Sequence, residues 1–314
     1  MIAKALWYVF SFIVFPGFLF STALGLLFCW VDRKVTARVQ FRVGPPLAQP
    51  LYDVLKLLGK ETILPAQGNP FLFILAPLVG FASAVMASTI IWLANLYSSS
   101  FVGDLIVVVY LLAIPPLAVM IGGFASANPL AVTGASREMK LLLAYELPLL
   151  ISLAVVILKG GMSIRLADLV QTHPMASISG VLCFVVSLLC IQAKLGYPPF
   201  DIAEAETELM EGPYLEYSGP PLALFKLTQA IMLLTLPVYL ISVFLGGLHL
   251  RGLGILWAVL KYVGILVLIV LIKNTNPRLR IDQALRLFWR YLTPATVVAF
   301  ILAAVGRAYG VVWL

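Results

Sequence analysis

Charge is scarce in this chain: of 314 residues only 11% are Asp, Glu, Lys or Arg, against roughly 25% in an ordinary soluble domain, while 62% are apolar. That balance excludes a water-solvated surface over most of the molecule. Long polar stretches are missing as well, so no soluble unit with its own core can be marked off, and 1–314 reads as a single integral membrane domain. Histidine occurs twice, at His173 and His249, and cysteine three times, at Cys29, Cys183 and Cys190, without CxxC spacing. This pattern offers neither a disulfide framework nor zinc or iron–sulfur ligands, so no cofactor is expected in this chain. A phosphate loop and a dinucleotide fingerprint are also lacking. The net charge of +7 comes without a basic patch interleaved with aromatics, so nucleic acid is not an expected partner.

What the chain has is long apolar runs. At about 20 residues per span, they predict helices over 5–31, 70–97, 105–125, 141–158, 177–195, 222–246, 255–273 and 294–314. The runs are too long for the tilted strands of a barrel, so the expected class is all-α, a polytopic protein of about eight transmembrane helices. The first run exceeds a signal-peptide core, is followed by Asp32-Arg33-Lys34 and shows no convincing cleavage site, so it is expected to stay as a helix.

Basic residues orient the bundle. Segments 32–69, 126–140, 196–221 and 274–293, with their flanking helix ends, hold Arg33, Lys34, Arg38, Arg42, Lys56, Lys60, Arg137, Lys140, Lys194, Lys226, Lys273, Arg278, Arg280, Arg286 and Arg290. The opposite side has Lys4, Lys159, Arg165, Arg251 and Arg307. By the positive-inside rule the first set is cytoplasmic, which puts both termini outside a cytoplasmic membrane crossed several times. Within 32–69, the stretch from Pro50 to Lys60 spaces apolar and charged residues as an amphipathic helix does, and it reads as a helix on the cytoplasmic surface ended near Gly59.

Residues 198–221, PPFDIAEAETELMEGPYLEYSGPP, hold Asp201, Glu204, Glu206, Glu208, Glu211 and Glu216, six of the fourteen acids in the chain. Asp201 sits where an N-cap belongs and Glu204 three residues later, as in a capping box, predicting a short helix from about 202 to 210. On it Glu204, Glu208 and Glu211 would share a face, with Glu206 elsewhere. Two readings stay open: a solvated acidic helix, or crowded carboxylates that raise one another's pKa and so hold and pass protons near neutral pH. Glu146, a turn or two inside the fourth predicted helix, costs roughly 2.5–3.5 kcal/mol at mid-membrane unless it faces the bundle or pairs with Lys140 or Arg137. Lys261 is a weaker candidate, because lysine snorkels. Arg33, Arg38 and Arg42 read as a topogenic, lipid-headgroup-binding stretch, as a docking surface for an acidic partner, or as arginines neutralising the carboxylates of 201–216.

Four stretches, DRKVTARVQFRVGPP, GASREMKLLLAYELP, PPFDIAEAETELMEGPYLEYSGPPLALFK and NPRLRIDQALRLFWRYLTP, together closely resemble the heel subunit of respiratory complex I and its relatives in energy-converting hydrogenases. The resemblance spans essentially the whole chain. It implies a non-catalytic, eight-helix subunit that docks a peripheral redox arm and couples it to H+ or Na+ translocation. Carried over residue by residue, Asp201, Glu204, Glu206, Glu208, Glu211 and Glu216 match the family's acidic loop and Glu146 its membrane glutamate, while Arg33, Arg38 and Arg42 match its first-loop basic residues. The implied partners are hydrogenase-like large and small subunits, a ferredoxin-like iron–sulfur subunit and antiporter-like membrane subunits, with iron–sulfur clusters and a nickel–iron centre in those partners. The segment Gly44-Pro45-Pro46-Leu47-Ala48-Gln49-Pro50 is shorter than in quinone-reducing members, and Glu211-Gly212-Pro213 followed by Glu216-Tyr217-Ser218-Gly219-Pro220 looks like the hydrogenase-type anchors. The expectation is therefore a ferredoxin-dependent hydrogenase-like arm. A sulfane-sulfur reductase, a quinone-reducing complex and, outside the family, a stand-alone secondary transporter are the alternatives.

Overall fold

Two Asn-Pro pairs show how this sequence starts its helices. The Asn69 side chain accepts from the Phe71 and Leu72 N–H groups at 3.1 and 3.3 Å, and Asn128 accepts from the Leu130 N–H at 2.9 Å. In each case the next residue is a proline, whose missing N–H falls where a helix has no partner for one. The computed structural model describes residues 2–249, 252–311 and 313, with the side chains of residues 2–5, 8 and 206 outside that description. The side chain of Lys4, and Arg251 altogether, therefore lie outside the described residues.

The helices are α1 (Ile2–Ile13), α2 (Phe18–Val39), α3 (Gln49–Leu58), α4 (Pro70–Tyr97), α5 (Asp104–Ala125), α6 (Pro129–Lys159), α7 (Leu166–Leu169), α8 (Ile178–Lys194), α9 (Glu206–Leu209), α10 (Gly219–Phe244), α11 (Gly254–Thr275), α12 (Ile281–Arg286) and α13 (Thr293–Tyr309). Among the described residues, seven helical runs are long and apolar enough to cross a membrane. The 17-residue α8, joined through a sharp bend to the short turns before it, makes an eighth. The protein is an all-α, multi-pass membrane protein.

Several boundaries differ from the sequence expectation, and α2 runs on to Val39, eight residues past the expected end at 31. The run 5–31 is broken between α1 and α2 at Pro16, which has no N–H to give and restricts the residue before it. Segment 126–140 is mostly the first turns of α6, so Arg137, Glu138 and Lys140 ride on a continuous 31-residue helix. In 274–293, α12 and a π-helical turn (Leu287–Leu292) lead directly into α13. In the last two cases one side of the stretch is buried, with Glu138 in α6 and with Ala284 and Phe288 in the stretch before α13, so helix continues where hydropathy falls. The surface helix forms as expected, with Gly59 at its C-cap.

α10 stands at the centre and is buried along almost its whole length. Ile231, Leu233, Val238, Leu240, Ile241 and Phe244 are each 1% exposed or less. α2 and α4 pack against it, and the contact with α2 is close: a Cβ on Gly25 would come within 2.7 Å of the Ala230 carbonyl oxygen. In lipid, where no hydrophobic drive separates helix from solvent, such small residues let van der Waals packing hold helices together.

Candidate functional site

The acid-rich loop does not lie on the surface as a helix. Of the helix expected over 202–210 only α9, Glu206–Leu209, forms, and Asp201 starts no helix: it takes a 2.5 Å bond from Arg278 Nη2 instead. The physical reason is burial. Phe200, Ile202, Ala203 and Ala205 are all under 5% exposed, and the loop dips into the bundle to bury them, which a surface helix with one apolar face could not do. Its return is a tight turn in which Met210, Glu211 and Gly212 all have positive φ, at 51°, 75° and 54°. Gly212 is obligatory there, since a Cβ would stand 2.0 Å from the Ala203 carbonyl oxygen.

The loop sorts its acids into two groups. Glu208, exposed, pairs with Arg137 of α6 at 2.7 Å, which holds its carboxyl below the usual carboxylate range. Glu216 accepts from Asn128 Nδ2 at 2.6 Å, and Glu211 is exposed. The Glu206 side chain lies outside the described residues.

Glu204 turns inward. Its carboxylate accepts from Gln229 Nε2 of α10 at 3.1 Å, and the same amide reaches the Tyr214 hydroxyl at 3.3 Å. Burial pushes the Glu204 carboxyl up to about 7, partly opposed by the Lys226 ammonium and reinforced by Asp201. Beside it a cavity of about 50 Å³ is lined by Glu138, Lys194, Asp201, Glu204 and Gln229, among others. That volume has room for roughly three water molecules.

Lys194 joins this cavity to Glu146. Its side chain is 1% exposed, lies 5.6 Å from the centre of the Tyr145 ring and pairs with Glu146 Oε2 at 3.1 Å. Glu146 thus has a partner from α8, neither Lys140 nor Arg137. A carboxyl whose pKa burial raises to about 7, a cavity large enough for water, a second buried carboxyl and a lysine–glutamate pair thus lie side by side.

A larger cavity, about 520 Å³, opens between α2, α3, α10 and α11. One part of its wall is apolar, with Leu26, Val54, Leu57 and Leu233; the rest carries Asp32, Arg33, Lys226 and Lys273. Lys273 holds Asp32 at 2.7 Å and lies 4.3 Å from the centre of the Tyr197 ring. Gln229 lines both cavities and so stands between them.

Of the residues expected from sequence, the structure gathers Asp201, Glu204 and, through Lys194, Glu146. It does not bring Arg33, Arg38 or Arg42 to the acidic loop. Arg33 pairs with Asp53 of the surface helix at 2.7 Å, Arg38 and Arg42 are exposed, and Arg137 and Arg278 neutralise the loop in their place. Lys261 donates to the Leu245 and Gly247 carbonyls at 2.7 and 3.2 Å, closing the end of α10. Sequence reasoning missed Glu138, Lys194 and Gln229. A signal existed for the first, which stands two turns before Glu146 on the same helix; Lys194 speaks in the sequence only for topology. Among the described residues no group of three or more His, Cys, Asp or Glu is placed to hold a metal ion.

Comparison with known proteins gives a consistent picture. A family model described as NADH dehydrogenase matches residues 11–304. An NADH-quinone oxidoreductase subunit of Geobacillus kaustophilus is 32% identical over 294 residues, 88% of each chain. The same subunit from Thermomicrobium roseum is 32% identical over 324 aligned positions, covering 93% of this chain and 95% of the relative. Among solved structures, a chain of the membrane-bound sulfane sulfur reductase, an archaeal respiratory membrane complex, is similar with a TM-score of 0.82 and 28% identity, over 91% of this chain and 96% of that one.

Proposed function

The chain belongs to the heel-subunit family of NADH-quinone oxidoreductases, and from that premise we propose that it seats the redox arm of a quinone-reducing complex and passes protons from that arm toward ion-translocating partners. Its general role is that of a non-catalytic membrane-anchor subunit in an energy-converting oxidoreductase complex of the cell membrane. The observation that carries the quinone reading is the 520 Å³ cavity, whose wall is apolar in one part and ionic in another, as a lipid-tailed molecule with a polar head requires. Gln229 then links reduction to proton uptake, because it touches Glu204 on one side and the cavity on the other. From Glu204 the route runs by Glu138 and Lys194 to Glu146.

A second reading, the same role in a sulfane-sulfur reductase, is favoured by the similarity to that complex along nearly the whole chain and by the short Gly44–Pro50 segment. The quinone and sulfur names of the relatives support these two readings over the hydrogenase-like arm expected from the loop sequence. The peripheral large and small subunits, the iron–sulfur subunit and the antiporter-like subunits are proposed as partners on the same ground. Assay of the purified complex separates the cases. Inhibitor-sensitive quinone reduction is expected; polysulfide reduction without it would establish the second reading, and bound nickel with hydrogen evolution would overturn both. A chain that purifies alone and transports a solute after reconstitution would overturn the anchor role itself.

A further inference from the structure

On the membrane face opposite the acid-rich loop, a cavity of about 420 Å³ lies between the ends of α6, α8 and α13. Basic residues are sparse on this face, yet Lys159, the last residue of α6, and Arg307 of α13 both line this cavity, and so does His173 from the turn before α8. Among the described residues, no Asp or Glu lines it. Ser177, the N-cap of the 17-residue α8, lines it too, with its Oγ accepting from the Gly180 N–H at 3.2 Å, so the positive end of a helix dipole faces the same space.

The cations are fixed in place. Lys159 Nζ donates to Ser177 Oγ at 2.5 Å, and Arg307 Nη1 donates to the Leu158 carbonyl oxygen at 2.8 Å. The His173 ring lies over Gly246, where a Cβ would stand 1.9 Å from Cε1. These bonds use one of lysine's three donors and one of arginine's five, so each cation keeps donors for an anion. Phosphate is the oxyanion that such a lysine, arginine and helix-end combination suits.

The surroundings indicate which phosphate. Ala303 and Gly306 make the α13 wall low, while the same helix exposes Val298, Ile301 and Val305. At this end Tyr309 and Trp313 are 80% and 62% exposed, as aromatic side chains at a membrane–water boundary are. A headgroup in the cavity therefore sits at interface depth with an apolar helix beside it for its acyl chains.

We propose that this cavity is a binding site for the phosphate headgroup of an anionic phospholipid, gripped by Lys159, Arg307, His173 and the start of α8. The lipid carries net negative charge because the described wall offers no carboxylate for a choline or ethanolamine ammonium. The bound lipid ties together α6, α8 and α13, of which α6 carries Glu146 and α8 carries Lys194. This inference stands independently of the acceptor the complex reduces.

Native mass spectrometry of the intact, detergent-solubilised complex tests it, with phosphatidylglycerol, phosphatidylcholine and inorganic phosphate titrated in turn. Phosphatidylglycerol is expected to bind in preference to phosphatidylcholine, and the K159Q/R307Q double variant should weaken it by about tenfold or more. Arg307→Gln alone, a change at an exposed residue that leaves the buried packing intact, should weaken it about fivefold, and Arg165→Gln, on the same face but outside the cavity, should not. Unchanged phosphatidylglycerol binding in Arg307→Gln would overturn the site. Inorganic phosphate that binds as tightly as the lipid and displaces it would overturn the lipid assignment.

Discussion

Glu204 and Glu208 stand four residues apart in one loop and live in opposite environments. Glu208 is exposed and its proton is displaced by a 2.7 Å bond to Arg137; Glu204 points into the bundle, is held by a neutral amide and keeps its proton up to about pH 7. The difference teaches that the acidity of the loop is not one property. Its outer acids, Glu208 and Glu216, fasten it to Arg137 of α6 and to Asn128 at the start of that helix, while Glu204 lies inward beside the cavity that Glu138, Lys194 and Asp201 also line, and there we place the proposed proton route.

The variant expected to disturb the inner group most is Lys194→Met. It strips the partner from a carboxylate inside a membrane helix, a change that costs about 3–5 kcal/mol for buried pairs. The thermal midpoint of the solubilised complex should fall, and adding Glu146→Gln should recover part of the loss. No recovery would mean that Lys194 is needed for packing alone.

Glu204→Gln comes next. Coupled ion pumping should drop at least tenfold, in line with the loss of a proton-transfer group, while the complex still assembles. The pH dependence gives a sharper reading. Because the folded-state pKa of Glu204 is raised, the native protein holds a proton that the unfolded chain has already released; the contribution of this group is fully present below the ordinary glutamate pKa and is lost as pH rises through about 7. The wild-type pumping profile should therefore carry an ionisation near pH 7 that Glu204→Gln removes.

Arg137→Ala acts on the outer group and should do much less. Glu208 contributes stability above its ordinary pKa that is lost as pH falls through the lowered native value, so the variant should lose some stability at neutral pH and none in acid, with pumping near wild type. A pumping defect as large as that of Glu204→Gln would erase the distinction between the two groups. The smallest effect on the protein alone is expected from Arg33→Ala, whose half-exposed pair with Asp53 is worth about 0–1 kcal/mol. That variant, like Arg38→Ala, should be seen mainly as weaker retention of the peripheral arm during purification.

The membrane helices were legible because length and unbroken hydropathy leave few alternatives in a bilayer. Their ends on the side of the acid-rich loop were not, since the charges of Arg137, Glu138 and Lys140 lower hydropathy without ending α6. The loop misled in a different way. Asp201 and Glu204 have the spacing of a capping box, but burying Phe200, Ile202, Ala203 and Ala205 outweighed that local preference. Lys194 and Gln229 could not be read as site residues, because what gives them meaning is packing against Glu146 and Glu204, which are distant in the chain.

Redox-induced infrared difference spectroscopy on the reconstituted complex tests most directly whether Glu204 carries a proton in step with electron transfer. The wild type should show a protonated-carboxyl C=O band that changes on reduction and titrates near pH 7, and Glu204→Gln should lack it while Glu208→Gln retains it. A spectrum in which that band is absent from the wild type, or persists unchanged in Glu204→Gln, would contradict the account.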